Sequence, residues 1–138
     1  SSAMWSVADL AALPLQDACI DVILNILSPA NYGEFRRVLN NQGVVVKVLP
    51  GKDYLKEIRL RLADVKFYSN HEVLSHLEAN MHIQRSEQLH YQVPVSPEIW
   101  RHLVTMTPLT QHQEVIGGEH PDSLTIDLQV VQGTLGIS

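Results

Sequence analysis

Two apolar runs rich in β-branched residues place the strongest constraint on the fold. Ile20–Leu27 and Val44–Leu49 each have the composition of a strand buried on both faces, which is typical of a parallel sheet. Between them, Tyr32–Leu39 has the apolar spacing of a helix. Asn40–Gly43 is predicted to form a turn in which the glycine closes that helix. The pattern predicts an α/β fold in which two parallel neighbouring strands are joined by a right-handed crossover.

Downstream, the alternation of helices and strands continues. Asp53 is predicted to cap a helix from Tyr54 to about Leu62, and Asn70 a second helix through Ala79, with Val73, Leu74 and Leu77 inward. Met81–Val95 is predicted to be extended, with a bend near Ser86.

The final third contains one more helix and one more strand. Ser96-Pro97-Glu98 is a typical helix start, and Thr107-Pro108 a typical helix end. The predicted apolar face of this helix comprises Ile99, Leu103, Val104 and Met106. Leu124–Val130 alternates in polarity, as a half-exposed strand does. The last two strands are therefore expected at the partly exposed edge of a mixed sheet.

Composition excludes several classes of function. The 138 residues are 45% hydrophobic and 18% charged, which is ordinary for a globular domain. No apolar run approaches the ~20 residues that span a bilayer. The net charge of −5 argues against an autonomous nucleic-acid binder, and the one basic stretch, residues 52–66, is typical of a solvated helix face.

Cysteine and histidine usage argues against metal and disulfide chemistry. A single cysteine, Cys19, excludes an internal disulfide and a cysteine-based zinc site, and buried packing is its expected role. The seven histidines show no recognised ligand spacing, so no metal site is predicted. No G-x-S-x-G elbow of a serine hydrolase occurs.

Four longer motifs occur in a recognisable order: VADLAALPLQDACIDVILNILSPANY, EFRRVLNNQGVVVKVLPGKDYLKEIR, LHYQVPVSPEIW and LVTMTPLTQH. Together they resemble S-adenosylmethionine (SAM)-dependent methyltransferases, and more narrowly the family that methylates a ring nitrogen of guanine in large-subunit (23S) rRNA. NILSPANY, VLPGKDYLKE and MTPL are the most specific parts. The resemblance extends from about Val7 to Val131.

The resemblance implies a partial Rossmann-like SAM methyltransferase fold, with parallel central strands, a C-terminal antiparallel edge pair and the first strands missing. The family's cysteine-rich zinc module and glycine-rich E-x-G-x-G loop do not occur in this sequence. Residues 1–3 are typical of a cloning remnant. Residues 4–138 are expected to be the C-terminal part of a SAM-dependent methyltransferase domain.

On the cofactor side, the resemblance implies roles for Asp9, Leu10, Asn25 and Ile26. Asp9 is expected after a short strand at Ser6–Ala8, beside the adenine amino group of SAM, with Leu10 giving a backbone contact. The alternative for Asp9 is a turn-forming role, and for Asn25 an ordinary strand end.

On the substrate side, the resemblance implies contacts with the acceptor base from Ser28 and Pro29. Pro50, Tyr54, Met106, Thr107 and Pro108 are expected to form the wall of the base pocket, with Tyr54 stacking on a flipped base. The alternative for these five residues is ordinary packing and helix termination.

The catalytic base is not identified from the sequence, and Asp17, Asp21 and Glu34 remain weak candidates.

We expect SAM and ribosomal RNA as partners of the intact enzyme in the cytoplasm, with little SAM binding or activity in this chain. The alternative is a non-catalytic dimeric or partner-binding module. An unpaired edge of Ile20–Leu27 predicts a homodimer, with a displaced or swapped Ser1–Leu13 segment.

Overall fold

The computed structural model describes residues 3, 6–60, 71–106 and 120–136, and the side chains of 104–106 lie outside this description. In chain order the elements are β1 (Ile20–Ile26), α1 (Tyr32–Val38), β2 (Leu39–Pro50), α2 (Lys56–Arg59), α3 (His71–Asn80), β3 (Met81–Pro94), α4 (Pro97–Met106) and β4 (Ser123–Leu135). The predicted order of strands and helices is confirmed.

The four strands of the described residues form one sheet in the order β1-β2-β4-β3. β1 and β2 run parallel, with Val22 opposite Val44 and Ile26 opposite Val48, as the sequence predicts. β1 and β3 occupy the two ends of this order. The last two strands form the pair at one end of the sheet, as predicted, with β3 outermost and β4 between β2 and β3.

Helix α1 begins at a side-chain cap. The Asn31 carboxamide oxygen accepts a hydrogen bond from the Glu34 backbone N–H at 3.2 Å, which satisfies one of the free donors of the first turn. Tyr32, Phe35 and Val38 form its buried face. The helix ends at Val38, and the chain enters β2 directly.

The turn predicted at Asn40–Gly43 is therefore wrong. These residues extend β2, and they create an irregularity in its pairing, because Ile20 lies opposite Leu39 whereas Val22 lies opposite Val44. Gly43 allows a close approach: a Cβ there would lie 2.4 Å from the Leu39 side chain. Its role is steric, and it does not close the helix.

The other helix ends agree only in part with the sequence. Asp53 does not cap α2, which starts after Leu55 in a left-handed conformation (φ 51°) without a side-chain cap. The predicted caps and ends at Asn70, Leu62 and Thr107-Pro108 lie outside the described residues. Helix α4 does begin as predicted, with the Ser96 hydroxyl accepting from the Ile99 N–H at 3.2 Å.

The chain divides into two compact units, each with its own hydrophobic core. The first comprises Ser1–Leu49, Glu72–Glu87 and Val130–Ser138, and the second Pro50–His71 and Gln88–Gln129. The first core consists of Tyr32, Phe35, Leu39, Val45, Leu49, Leu77, Met81 and Val131. The second consists of Leu55, Ile58, Val95, Trp100 and Leu124.

Several burial expectations are wrong. Val73 and Ile99 are exposed, whereas Trp100 is buried. β1 was expected to be covered on both faces, yet Val22, Leu24 and Ile26 are each more than half exposed. The physical reason is that β1 ends the sheet, and no described element covers this face. Cys19, expected to be buried, is also exposed. None of the described helices is long and apolar enough to cross a bilayer.

Leu77 offers a test of the first core, because its side chain is fully buried. Leu77→Ala should lower the free energy of unfolding by about 2–5 kcal/mol, through lost apolar burial and the cavity it leaves. Val73→Ala on the same helix, where the side chain is 41% exposed, is the matched control and should change it by less than about 1 kcal/mol. Urea unfolding of both variants checks the prediction, and equal losses would contradict this orientation of α3.

Candidate functional site

A network of hydrogen bonds folds the loop after β1 back over the end of that strand. The Asn25 amide nitrogen donates to the Pro29 carbonyl at 2.9 Å and to the Ser28 hydroxyl oxygen at 3.3 Å. Leu27 adopts a left-handed conformation (φ 52°), which reverses the chain between these partners. Its N–H donates to the Val48 carbonyl of β2 at 3.0 Å. The structure thus brings together three predicted site residues: Asn25, Ser28 and Pro29.

Lys47 completes this cluster. It lies opposite Asn25 in the β1–β2 register, and its side chain is buried in the sheet at 3% exposure. Its ammonium group donates to the Asn25 side-chain oxygen and, at 3.0 Å, to the Ser28 carbonyl. The amide of Asn25 is consequently fixed, with its oxygen toward Lys47 and its nitrogen toward the loop. Burial lowers the pKa of Lys47, because desolvation disfavours the charged amine.

Sequence reasoning missed Lys47. The available signal was a single lysine interrupting the apolar run Val44–Leu49, a position where a charge must find partners when the strand is buried. Ile26, by contrast, lies on the opposite face of β1 from Asn25, since side chains alternate along a strand, and is 58% exposed. These two predicted cofactor residues therefore point to different faces.

The predicted strand at Ser6–Ala8 is not present. Asp9 instead forms an isolated bridge with Ala12, and its carboxylate accepts the Ala11 N–H at 2.9 Å. This is the turn-forming arrangement that the sequence left open for Asp9. The Leu10 carbonyl accepts a hydrogen bond from the Asn31 side chain at 3.2 Å, which ties this segment to the start of α1.

An open cavity of about 450 Å³ lies beside this turn in the first unit. Leu10, Asn31 and Tyr32 line one part of it, and Arg36 and His76 another. The cavity offers apolar surface together with hydrogen-bond donors, as small-molecule sites do. Of the four predicted cofactor residues, Leu10 lines it.

Arg37 binds the segment before β1 to α1. Its guanidinium donates to the Leu13 carbonyl at 2.9 Å and the Leu15 carbonyl at 2.7 Å, and it pairs with Asp17 at 2.9 Å and Glu34 at 2.5 Å. The hydrogen bond from Arg37, followed by that from the Leu13 N–H, lowers the pKa of Glu34. Because a carboxylate held in its ionised form is a weak base, this environment disfavours Glu34 as the proton acceptor.

The other two base candidates are also engaged. Asp17 pairs with Arg37 and Asp21 accepts from the Asn40 side chain. Asp21 stands at the amino end of β1, whereas ligands of open α/β sheets bind outside the carboxyl ends of strands. These contacts explain all three carboxylates as structural groups.

In the second unit, Pro50 and Tyr54 flank a tight turn. The Tyr54 N–H donates to the Gly51 carbonyl at 3.2 Å, and the Gly51 N–H donates to the Asp127 carbonyl at 2.7 Å. The Tyr54 side chain packs, partly buried, against the second core. Met106 is the last described residue of α4, while Thr107 and Pro108 lie outside the described residues.

Comparison with solved structures identifies the fold. A candidate methyltransferase of Bacillus halodurans superposes with a TM-score of 0.52 at 14% identity, covering 91% of this chain and 68% of its own. The YcgJ protein of Bacillus subtilis gives 0.52 at 16%, with the same coverage. The fold is that of SAM-dependent methyltransferases, with a mixed α/β sheet and a parallel β1–β2 core.

The curated sequence relatives are rRNA methyltransferases. The chain is 40% identical over 109 residues to YxjB of Bacillus subtilis, a candidate 23S rRNA (guanine-N(1)-)-methyltransferase, and this match covers 77% of the chain and 39% of YxjB. It is 29% identical over 116 residues to the 23S rRNA (guanine(748)-N(1))-methyltransferase of Streptomyces fradiae, covering 83% and 41%. No protein-family model matches. The curated relatives of this chain are thus 23S rRNA (guanine-N1) methyltransferases, and the chain spans about two fifths of their length.

The cluster around Lys47 generates a stability prediction. Lys47→Met removes the donor to the Asn25 side-chain oxygen and the Ser28 carbonyl, so it should lower the free energy of unfolding by about 1–3 kcal/mol. Lys52→Met, at an exposed position, is the matched control and should remain within about 0.5 kcal/mol of the parent. Urea unfolding measures both.

A second variant separates the hydrogen bond from general disruption of the strand. Adding Asn25→Leu to Lys47→Met removes both polar partners, so the pair should lose less stability than the sum of the single changes. Strict additivity would show that the two side chains do not interact.

Proposed function

We propose that this chain forms the acceptor-side part of a SAM-dependent enzyme that methylates N1 of a guanine in 23S rRNA. The single observation that carries the proposal is the Asn25–Ser28–Lys47 cluster, which rigidly shapes the loop at the carboxyl end of the parallel strand β1. Ligands of open α/β sheets bind at that end. The relationship to the named relatives supplies the substrate class.

Ser28 is the best placed group for contact with the base. Its hydroxyl oxygen accepts from Asn25, and its own hydrogen remains available to donate to a guanine oxygen or ring nitrogen. Lys47 holds the backbone of this residue through its carbonyl. Asn25 and Lys47 are therefore positioning residues, and Ser28 and Pro29 form the surface that meets the substrate.

When bound, SAM supplies an electrophilic methyl group that passes to guanine N1 as its bond to sulfur breaks. The chain's task is to hold the attacking nitrogen close and in line, which pre-arranged contacts achieve. The N1 proton must leave as well. Because Asp17, Asp21 and Glu34 are engaged elsewhere, we assign its release to water or to a group outside these three.

The residues present fit only part of the cofactor. The cavity beside Leu10 offers apolar and hydrogen-bonding surface suited to a nucleoside, and we propose that Asp9 and Leu10 contact the adenine side, with Asn25 and Ile26 near the reactive end. The glycine-rich turn that grips the amino-acid end does not occur in these 138 residues. We therefore propose weak or no SAM binding and no activity for this chain alone.

The second unit contains further residues for which we propose a role in binding the acceptor base in the cytoplasmic, intact enzyme. We propose this role for Pro50 and Tyr54 at the turn after β2, and for Met106, Thr107 and Pro108 at the end of α4. The packing of Tyr54 against the second core leaves it partly exposed, which is compatible with stacking on a base.

A chimera tests the proposal. This chain replaces the matching segment of YxjB, and transfer of a labelled methyl group from SAM to a 23S rRNA hairpin is measured. The chimera should be active, and Ser28→Ala should lower kcat/KM by roughly two- to tenfold, because a hydrogen bond between neutral groups contributes about 0.5–1.5 kcal/mol. Ser75→Ala, at an exposed position of α3, is the matched control and should leave kcat/KM unchanged.

The isolated chain provides a further control. It should show neither methyl transfer nor saturable SAM binding by calorimetry. A folded but inactive chimera would contradict the assignment of the acceptor side to this chain, and tight SAM binding by the chain alone would contradict the proposed loss of cofactor affinity.

A second function, a dimeric or partner-binding module, is favoured by one observation. Val22, Leu24 and Ile26 form a row of half-exposed apolar side chains on the terminal strand β1, with 51%, 65% and 58% of their surfaces exposed. Such a strand has a free edge and favours pairing with another chain. We propose that two copies of this chain associate through β1; the predicted displacement of the segment up to Leu13 is wrong, because Leu10 and Leu13 are held on α1 of the same chain by hydrogen bonds.

Sedimentation checks this association. The chain should sediment as a dimer, and Leu24→Lys should convert it to a monomer, because a charged side chain cannot be buried unpaired in an apolar interface. Leu60→Lys, which places the same charge at a site 79% exposed, is the control and should remain dimeric. A monomeric parent chain would refute dimerisation through β1.

A further inference from the structure

We infer that Asp53, His90 and Asp127, all in the second unit, form a binding site for a divalent transition-metal ion. One carboxylate oxygen from each aspartate and one imidazole nitrogen lie within 4.8 Å of one another. The site is independent of the proposed methyl transfer, and none of the three residues has been given a role in it.

Asp127 gives the strongest indication. Its side chain is 1% exposed, and a buried carboxylate is costly unless a cation or a metal balances it. Its two oxygens accept from the Asp53 backbone N–H and the Gln88 side-chain amide, both at 3.1 Å. Both donors are neutral, and no lysine or arginine of the described residues pairs with this carboxylate. Each oxygen retains a lone pair for a metal ion.

Asp53 brings a second carboxylate to the same place. Its backbone is tied to Asp127, and its side-chain oxygen lies 3.3 Å from Nε2 of His90. The ligand oxygens of Asp53 and Asp127 lie within 4.8 Å of each other, and two carboxylates this close repel unless a positive charge lies between them. The imidazole completes a set of two oxygens and one nitrogen around the same point.

The donor types indicate the class of ion. Carboxylates suit Mg²⁺, Ca²⁺ and Mn²⁺, while imidazole suits Zn²⁺ and other transition metals, so the mixed set favours Zn²⁺ or Mn²⁺ over Mg²⁺. Ligand atoms lie about 2.0–2.2 Å from Zn²⁺ in a tetrahedral site and therefore roughly 3.3–3.6 Å from one another, so a pair as wide as 4.8 Å would have to close by about 1 Å. The His90 and Asp53 side chains are 47% and 34% exposed, and therefore have room to rotate.

Gly51 allows the segment Gly51–Asp53 to lie close to the buried Asp127 carboxylate. A Cβ at this position would lie 2.3 Å from the Asp127 carboxylate, so any other residue would push the loop away. The Gly51 N–H also donates to the Asp127 carbonyl at 2.7 Å. The glycine thus permits Asp53 to sit beside Asp127, as a preformed site requires.

Binding to the chain itself tests the inference. Cys19→Ser serves as the parent, because the exposed thiol of Cys19 is a second possible ligand for Zn²⁺. Calorimetry with Zn²⁺ and with Mn²⁺ should show saturable uptake of one ion per chain and a rise in Tm, with Mg²⁺ much weaker. Asp53→Asn and His90→Gln should each weaken binding by more than roughly tenfold, the loss that even an outer-shell change causes.

Two controls and a spectroscopic signal make the test specific. Asp122→Asn and His102→Gln alter exposed residues of the same unit and should bind like the parent. Bound Mn²⁺ should show nitrogen coupling in electron paramagnetic resonance that disappears in His90→Gln. Asp127 is buried, so Asp127→Asn is informative only if this variant folds. The test therefore depends on Asp53→Asn and His90→Gln.

The competing explanation is a charged His90 that balances the two carboxylates without a metal. In that case neither Zn²⁺ nor Mn²⁺ would bind saturably. This result, or binding that survives both Asp53→Asn and His90→Gln, would overturn the inferred site.

Discussion

The parallel pairing of β1 with β2 is the constraint on which the rest of the first unit depends. It sets Asn25 opposite Lys47 and brings both to the carboxyl end of the pair. The pairing also buries the β2 side chains that form the first core, including Val45 and Leu49. The loop after β1 can then be fixed over the apolar sheet, because it is held by Asn25 of β1 and Lys47 of β2. These two strands cannot change register without exposing the core.

Each compact unit contains a buried charged side chain that is held by hydrogen bonds from or to neutral groups. In the first, Lys47 is satisfied by the Asn25 side chain and the Ser28 carbonyl, and this arrangement shapes the proposed acceptor loop. In the second, Asp127 is held by neutral donors beside a second carboxylate and an imidazole. Because burying a charge is expensive, both networks mark positions where the chain gives up stability for a defined local geometry.

The proposed role of the loop after β1 is supported both by the sequence relatives and by the fold. Relatives match this chain over about two fifths of their own length, and we propose that the chain corresponds to their acceptor side. The exposed apolar row of β1 is consistent with that view, since the strand ends the sheet of the described residues. A second copy of this chain is the partner that we propose for this surface.

Sequence patterns correctly predicted the order of strands and helices, the parallel pairing of β1 with β2, the Ser96 start of α4 and the relationship to rRNA methyltransferases. These follow from local periodicity, capping chemistry and motif order, which are properties of neighbouring residues. The folded chain was needed to show that Asn40–Gly43 extends a strand, that β4 lies between β2 and β3, that Asp9 forms a turn and that Lys47 holds Asn25. It alone also joined Asp53, His90 and Asp127, because contacts between residues 37 and 74 positions apart depend on how the strands assemble and leave no periodic trace in the sequence.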